Sequence, residues 1–158
     1  MNLSLSRSQI SFREKSAWIS LAVLLVVFIP YFLNVFRLFG AGLLSAGAVM
    51  GLFIAATIVV ILLSATFHIL LAVFGRVEPP DERDRAIELK SFRIAYGILT
   101  VSVFCLIGTV VIVALPSAQS PPRAALGPVF LSQLFFLCFV LGEAAKYFTQ
   151  AVCYRRGS

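Results

Sequence analysis

The chain has 158 residues, of which 60% are hydrophobic and only 13% charged, so it has too little polar material to cover a soluble domain. Its net charge of +6 does not indicate a nucleic-acid partner, because there is no soluble surface to present a basic patch; it suits contact with anionic lipid. The three cysteines form no CxxC pair and indicate neither a disulfide framework nor a zinc site.

Stretches without charged residues predict where the chain crosses a bilayer. A spanning helix needs about 20 mainly apolar residues, and the charged residues separate four such stretches. The first continues through Pro30 to Leu33 without a small-residue cleavage site, so we interpret it as an uncleaved span and not as a signal peptide. The sequence therefore predicts an all-α membrane protein, an antiparallel four-transmembrane-helix bundle forming one domain over 1–158. The predicted spans are about 17–36, 50–74, 94–115 and 129–150.

The basic residues near the span ends predict the orientation of the bundle. Eleven of the 13 lie in the N-terminal segment, in the loop 75–93 or at the C-terminal end of span four. Only Arg37 and Arg123 fall on the other side of a four-span arrangement. Because positive residues collect on the cytoplasmic side, we predict that both termini and the loop 75–93 are cytoplasmic, and that the protein lies in a bacterial inner membrane.

The loop 75–93 carries the densest cluster of charges. Pro79 and Pro80 end span two, and Asp81 can serve as the N-cap of a new helix whose first turn is acidic. No Gly or Pro follows Glu82 until Gly97, so the pattern predicts one helix that runs from the cytoplasm straight into span three. We name five residues of this loop as candidates for binding a partner protein: Asp81, Glu82, Arg83, Asp84 and Arg85.

The segment 81–90, with its Asp81-Glu82-Arg83 triplet, resembles a segment of small, uncharacterised multi-pass bacterial membrane proteins. In those proteins a similar triplet lies in the cytoplasmic loop before a span. The resemblance is confined to this short part of the chain. It implies a class of membrane protein, and it brings no activity, cofactor or catalytic residue with it.

Three ionisable residues lie within the predicted spans, where such groups are costly and often functional. Glu143 and Lys146 are one turn apart in span four and can pair with each other. His68 lies at a similar depth in span two, and histidine is a common proton donor and acceptor in proteins. If spans two and four are neighbours, the three form one intramembrane polar cluster that handles protons or a ligand. In the alternative interpretation, Glu143 and Lys146 satisfy each other and His68 bonds across helices.

Small residues at every fourth position mark the start of span two. Gly47, Gly51 and Ala55 would let another helix approach closely. That helix belongs either to the same chain or to a second copy in a homo-oligomer, or else to a larger partner. The sequence leaves these alternatives open.

No catalytic, nucleotide-binding or metal-binding motif is recognisable, so we predict neither an enzyme nor a bound cofactor or metal. Three hypotheses remain. The favoured one is a regulatory or accessory subunit that binds a partner through its cytoplasmic loop. The alternative is a small oligomeric proton-coupled transporter or channel that uses Glu143 and His68. A membrane-embedded enzyme acting on lipid is the third and has the least support.

Overall fold

A computed structural model of the chain describes residues 12–74, 81–114 and 127–156, and these ranges contain four helices. Every one of the four is long and apolar enough to cross a membrane. The prediction of an all-helical protein with four long apolar helices is therefore confirmed. The helices are α1 (Phe12–Gly40), α2 (Ala46–Phe74), α3 (Glu82–Ala114) and α4 (Pro128–Arg156).

The helices are longer than the predicted spans, chiefly at the ends that carry charge. α1 begins at Phe12 and so includes Arg13 and Lys15, which the sequence placed in a tail before the first span. α4 continues past residue 150 to Arg156. A helix of 29 residues is about 43 Å long, more than the roughly 30 Å of a hydrocarbon core. The additional turns lie within reach of the membrane surface, where charged side chains are tolerated.

Local caps explain where α2 and α3 begin. The Asp84 N–H donates to Asp81 Oδ1 at 2.7 Å, and the Asp81 N–H donates to Asp84 Oδ2 at 3.0 Å. This reciprocal capping box satisfies two helix N–H groups, and it confirms Asp81 as the N-cap of a helix that starts at Glu82. At α2 the Ser45 hydroxyl accepts from the Ala48 N–H, after a turn in which Gly42 has a φ of 68°.

The helices pack in the order α2–α1–α4–α3. α1 packs against both α2 and α4, and α3 packs against α4. The first and last helices therefore form the centre of the described protein, and α2 and α3 are flanking helices that expose most of their surface. The buried cluster at the centre comprises Leu24, Val27, Tyr31, Phe32, Val35, Ala56 and Val140.

α3 and α4 approach each other closely at Gly142. A Cβ atom added to Gly142 would lie 3.4 Å from the Leu99 Cβ and 3.5 Å from the Ala95 carbonyl oxygen. Ser91, which accepts a hydrogen bond from Gln150 of α4, is completely buried at the same interface. This contact holds α3 in place although most of its other side chains are exposed.

Candidate functional site

One end of the bundle carries most of the charged residues, and we call it the charged end. There, α1 and α3 begin and α2 and α4 finish, as the contacts of Ser16 with His68 and of Arg13 with Asp84 show. The Arg13 Nε lies 3.0 Å from Asp84 Oδ2, and the Asp84 side chain is only 15% exposed. Tyr154, in the last turn of α4, interacts with both members of this pair. One ion pair thus joins α1 to α3 beside a side chain of α4.

A second polar contact fixes α4 against α3. The Gln150 Nε2 donates to the hydroxyl of Ser91 at 3.2 Å, and that hydroxyl donates to the Glu88 carbonyl oxygen at 2.7 Å. Ser91 is completely buried, so both of its hydrogen bonds replace bonds that water would otherwise make. The first three turns of α3 are therefore held in one position relative to α1 and α4.

A polar cavity of about 250 Å³ lies among α1, α3 and α4 at the charged end. It adjoins the Arg13–Asp84 pair and contains charges of both signs, from Arg13 and Glu88. Hydroxyl, phenol and amide groups complete its wall. The lining residues are Phe12, Arg13, Ser16, Ala17, Ser20, Glu88, Tyr147, Gln150 and Tyr154.

The structure separates the five candidate partner-binding residues into two groups. Asp81 and Asp84 make the capping box, and Asp84 also pairs with Arg13. Glu82, Arg83 and Arg85 are exposed. The two aspartates therefore organise the start of α3, and the other three are accessible to a partner.

The structure brings Glu143 and Lys146 together and places His68 elsewhere. The Lys146 Nζ donates to Glu143 Oε2 at 2.5 Å, and it also lies 4.6 Å from the ring centroid of Tyr147. The Nδ1 of His68 is 2.7 Å from the Ser64 carbonyl, which can only accept, so this nitrogen carries a proton. The other ring nitrogen, Nε2, lies 3.2 Å from the hydroxyl of Ser16 on α1. His68 thus bonds to α1 and to its own helix, on the far side of α1 from α3.

A buried hydrogen bond that the sequence did not suggest joins α1 to α4. The Tyr31 hydroxyl donates to Gln133 Oε1 at 2.5 Å, and both residues are buried. The only signal in the sequence was an amide side chain within an otherwise apolar part of span four. The Arg13–Asp84 pair was also missed, because Arg13 lies before the first predicted span and far from Asp84 along the chain.

The small residues of α2 do not face another helix of the described chain. Gly47, Gly51 and Ala55 are all exposed, and no atom lies within 4 Å of a Cβ added to either glycine. Packing among the four described helices therefore does not use this stripe. A second copy or a larger partner remains the prediction for it.

Among the described ranges 12–74, 81–114 and 127–156, no group of histidine, cysteine, aspartate or glutamate side chains has an arrangement that could hold a metal ion. In comparisons with known proteins, no family model, no curated protein and no solved structure matches the chain. The functional argument therefore rests on the geometry of the charged end.

Proposed function

We propose that the chain is a regulatory or accessory subunit located in a bacterial inner membrane. In this proposal it binds a partner protein through the start of α3. In this proposal the bundle is antiparallel, with both termini and the charged end in the cytoplasm. The basic residues at that end support the orientation, since positive residues collect on the cytoplasmic side. The resemblance of the segment 81–90 to small multi-pass bacterial membrane proteins supports the class.

This proposal rests on the division of the charged residues 81–85 into two groups, one that stabilises the start of α3 and one that is exposed. The capping box and the Arg13 pair hold the first turn of α3 through Asp81 and Asp84. Glu82, Arg83 and Arg85 are then presented on a rigid helix and not on a loop, so a partner would lose little conformational entropy by binding them.

An exposed apolar side chain beside these charges strengthens the argument. Leu89 is 69% exposed, one turn after Arg85 on the same side of α3, and Lys90 next to it is also exposed. Interfaces combine apolar contact, which supplies affinity, with charges at the rim, which supply specificity and speed of association. The outer surface of the first turns of α3 offers both.

The transport alternative has weaker support. Its two central residues do not share a site, since Glu143 pairs with Lys146 and His68 bonds to Ser16. A carboxylate whose charge is already balanced by an ammonium group is poorly placed to accept a transported proton. The exposed stripe of Gly47, Gly51 and Ala55 suits an oligomer, which the alternative requires, but it serves an accessory subunit equally well.

Charge reversal at the start of α3 tests the proposal. The variant Arg83→Glu/Arg85→Glu is compared with Arg155→Glu/Arg156→Glu, which makes the same change in net charge at exposed positions of α4 at the same end. Each tagged protein is purified from its native membrane in mild detergent, and co-purifying proteins are quantified by mass spectrometry. We expect a stoichiometric partner with the wild type and the α4 variant, and a loss of about tenfold or more with the α3 variant.

Two results would contradict the accessory-subunit proposal. One is undiminished recovery of the partner by the α3 variant, which would show that Arg83 and Arg85 do not contact it. The other is an equal loss with both variants, which would show that the partner responds to the total charge of this end. The positions of the termini are checked in parallel by the accessibility of terminal tags in sealed vesicles.

A further inference from the structure

The polar cavity at the charged end differs from the other space between α1 and α4. Further along these helices a groove is lined by purely apolar side chains, including Phe28, Phe32 and Val140, as suits a surface that faces acyl chains. The polar cavity contains an arginine, a glutamate and several hydroxyl groups. Its volume of about 250 Å³ is far larger than the roughly 30 Å³ occupied by one water molecule. It has room for a small polar ligand.

The cavity is lined by one acidic residue, Glu88, that has no ion pair among the described residues. Among the described residues, the ion pairs are Arg13 with Asp84 and Lys146 with Glu143. Glu88, an exposed residue at the rim of the cavity, therefore has no cationic side chain of the described ranges within ion-pair distance. The Nε of Arg13 contacts Asp84, and the N–H groups of its two terminal guanidinium nitrogens lie in the same plane. The wall thus presents a negatively charged hydrogen-bond acceptor and a set of positively charged hydrogen-bond donors.

We propose that this cavity binds a phosphate group that carries a primary ammonium. The Glu88 carboxylate would accept hydrogen bonds from the ammonium, and the remaining N–H groups of Arg13 and the hydroxyl of Ser20 would donate to the phosphate. The amide of Gln150 donates to Ser91, so its carbonyl oxygen is a second acceptor for the ammonium.

Simpler ligands fit the cavity less well. A phosphate without a cationic group would meet the uncompensated carboxylate of Glu88 and the carboxylate of Asp84 beside Arg13. A quaternary ammonium has no N–H with which to satisfy Glu88 and Gln150. A group with both a phosphate and a primary ammonium uses both signs of charge in the wall.

The position of the cavity makes a membrane lipid one source of this group. From Arg13 to Ser20 the wall follows α1 over seven residues, or about 10 Å from the end of the bundle inward. This is the depth of the headgroup region, where Trp18 is also half-exposed. The same chemistry is available from phosphatidylethanolamine in the leaflet or from a free aminoalkyl phosphate in solution.

The first experiment measures which lipid the purified full-length protein retains. The protein is reconstituted in nanodiscs with equal amounts of phosphatidylethanolamine, phosphatidylcholine and phosphatidylglycerol, then released in mild detergent for native mass spectrometry. We expect one phosphatidylethanolamine per chain, enriched several-fold over the other two lipids. Replacing Glu88 with Gln, which keeps the size of the side chain, should reduce this enrichment by roughly tenfold, because it removes a charge-assisted hydrogen bond.

The matched control is Glu82→Gln, which removes the same charge from an exposed position of α3. It should retain phosphatidylethanolamine like the wild type. Equal losses in both variants would overturn the proposal, because the lipid would then respond to surface charge. Enrichment of phosphatidylglycerol or equal retention of phosphatidylcholine would also overturn it. Retention of no lipid would overturn it if free phosphoethanolamine also fails to bind in the second experiment.

The second experiment distinguishes the two sources. Free phosphoethanolamine is added to the wild-type protein in nanodiscs that contain only phosphatidylcholine, and its binding is measured by calorimetry. No heat of binding, together with retention of phosphatidylethanolamine in the first experiment, assigns the site to the lipid. Binding that is lost in Glu88→Gln and kept in Glu82→Gln supports the site with the soluble compound as its source. Glu82 lies on the surface proposed for the partner protein, but both experiments use purified protein without a partner, so their outcome does not test that surface.

Discussion

At the charged end polar side chains join α1 to its neighbours, whereas at the opposite end aromatic rings do so. The Arg13–Asp84 pair and the Ser16–His68 bond lie at the first. At the second, the rings of Phe39 and Phe130 are stacked with centroids 3.7 Å apart. Apolar surface gains nothing by leaving one apolar solvent for another, so helices in a bilayer associate through close packing and hydrogen bonds. The charged end uses an ion pair and hydrogen bonds, and the opposite end uses close packing of aromatic rings.

The Tyr31–Gln133 bond lies towards the opposite end and is the most sensitive point of this comparison. It is buried on both sides, whereas the bonds of the charged end are partly exposed. A polar group that loses its partner out of reach of water costs far more than one that water can rescue. The chemistry of the charged end should therefore tolerate substitution better than this single buried bond.

The largest expected effect is that of Gln133→Leu, which leaves the Tyr31 hydroxyl without a partner. We expect a loss of about 1–2 kcal/mol in the free energy of unfolding, measured by denaturant titration in mixed micelles. The double variant Tyr31→Phe/Gln133→Leu removes both polar groups and should recover much of this loss. If the loss of unfolding free energy in the double variant equals the sum of the losses in the two single variants, the bond does not stabilise the fold.

A smaller effect is expected for Arg13→Gln at the charged end. The Arg13 side chain is 34% exposed, so the pair with Asp84 should contribute only about 0.5–1 kcal/mol, and less at high salt. Hydrogen exchange should become faster in the first turn of α3 and stay unchanged in α2. Arg155→Gln serves as the control, and similar exchange in both variants would show that the pair does not hold α3.

The smallest effect is expected for proton transport. Under the accessory-subunit proposal, Glu143→Gln in liposomes leaves the proton flux equal to that of the wild type, because Lys146 already balances this carboxylate. The flux is followed with a pH-sensitive dye in sealed vesicles, with protein-free vesicles as the baseline. A flux above that baseline in the wild type, lost in Glu143→Gln, would restore the transport alternative.

The four helices and several local features were predictable because they depend on neighbours in the sequence. The length of the apolar stretches predicted the four helices, and Asp81 predicted where α3 begins. The spacing of one helical turn predicted that Glu143 and Lys146 can pair. Each of these follows from backbone geometry and from the cost of placing charge in an apolar solvent.

The neighbours of each helix were not predictable from the sequence. In a soluble protein an apolar stripe marks the packed face of a helix, but α2 and the part of α3 after Arg93 are apolar nearly all round, as suits helices that face lipid. Without that contrast, the sequence could not show that α1 lies between α2 and α4, nor that His68 would bond to Ser16. The exposed position of the Gly47 stripe escaped prediction for the same reason.

The pairing of the first helix with the last also has a consequence for biosynthesis. Tyr31 and Gln133 are 102 residues apart, so a ribosome that adds roughly 5–20 residues per second completes α1 several seconds before Gln133 exists. During that interval α1 can pair with α2, its neighbour along the chain, while its other side meets lipid or the insertion machinery. The tyrosine hydroxyl must find a temporary acceptor until then, and the arrival of α4 is the event that completes the centre of the protein.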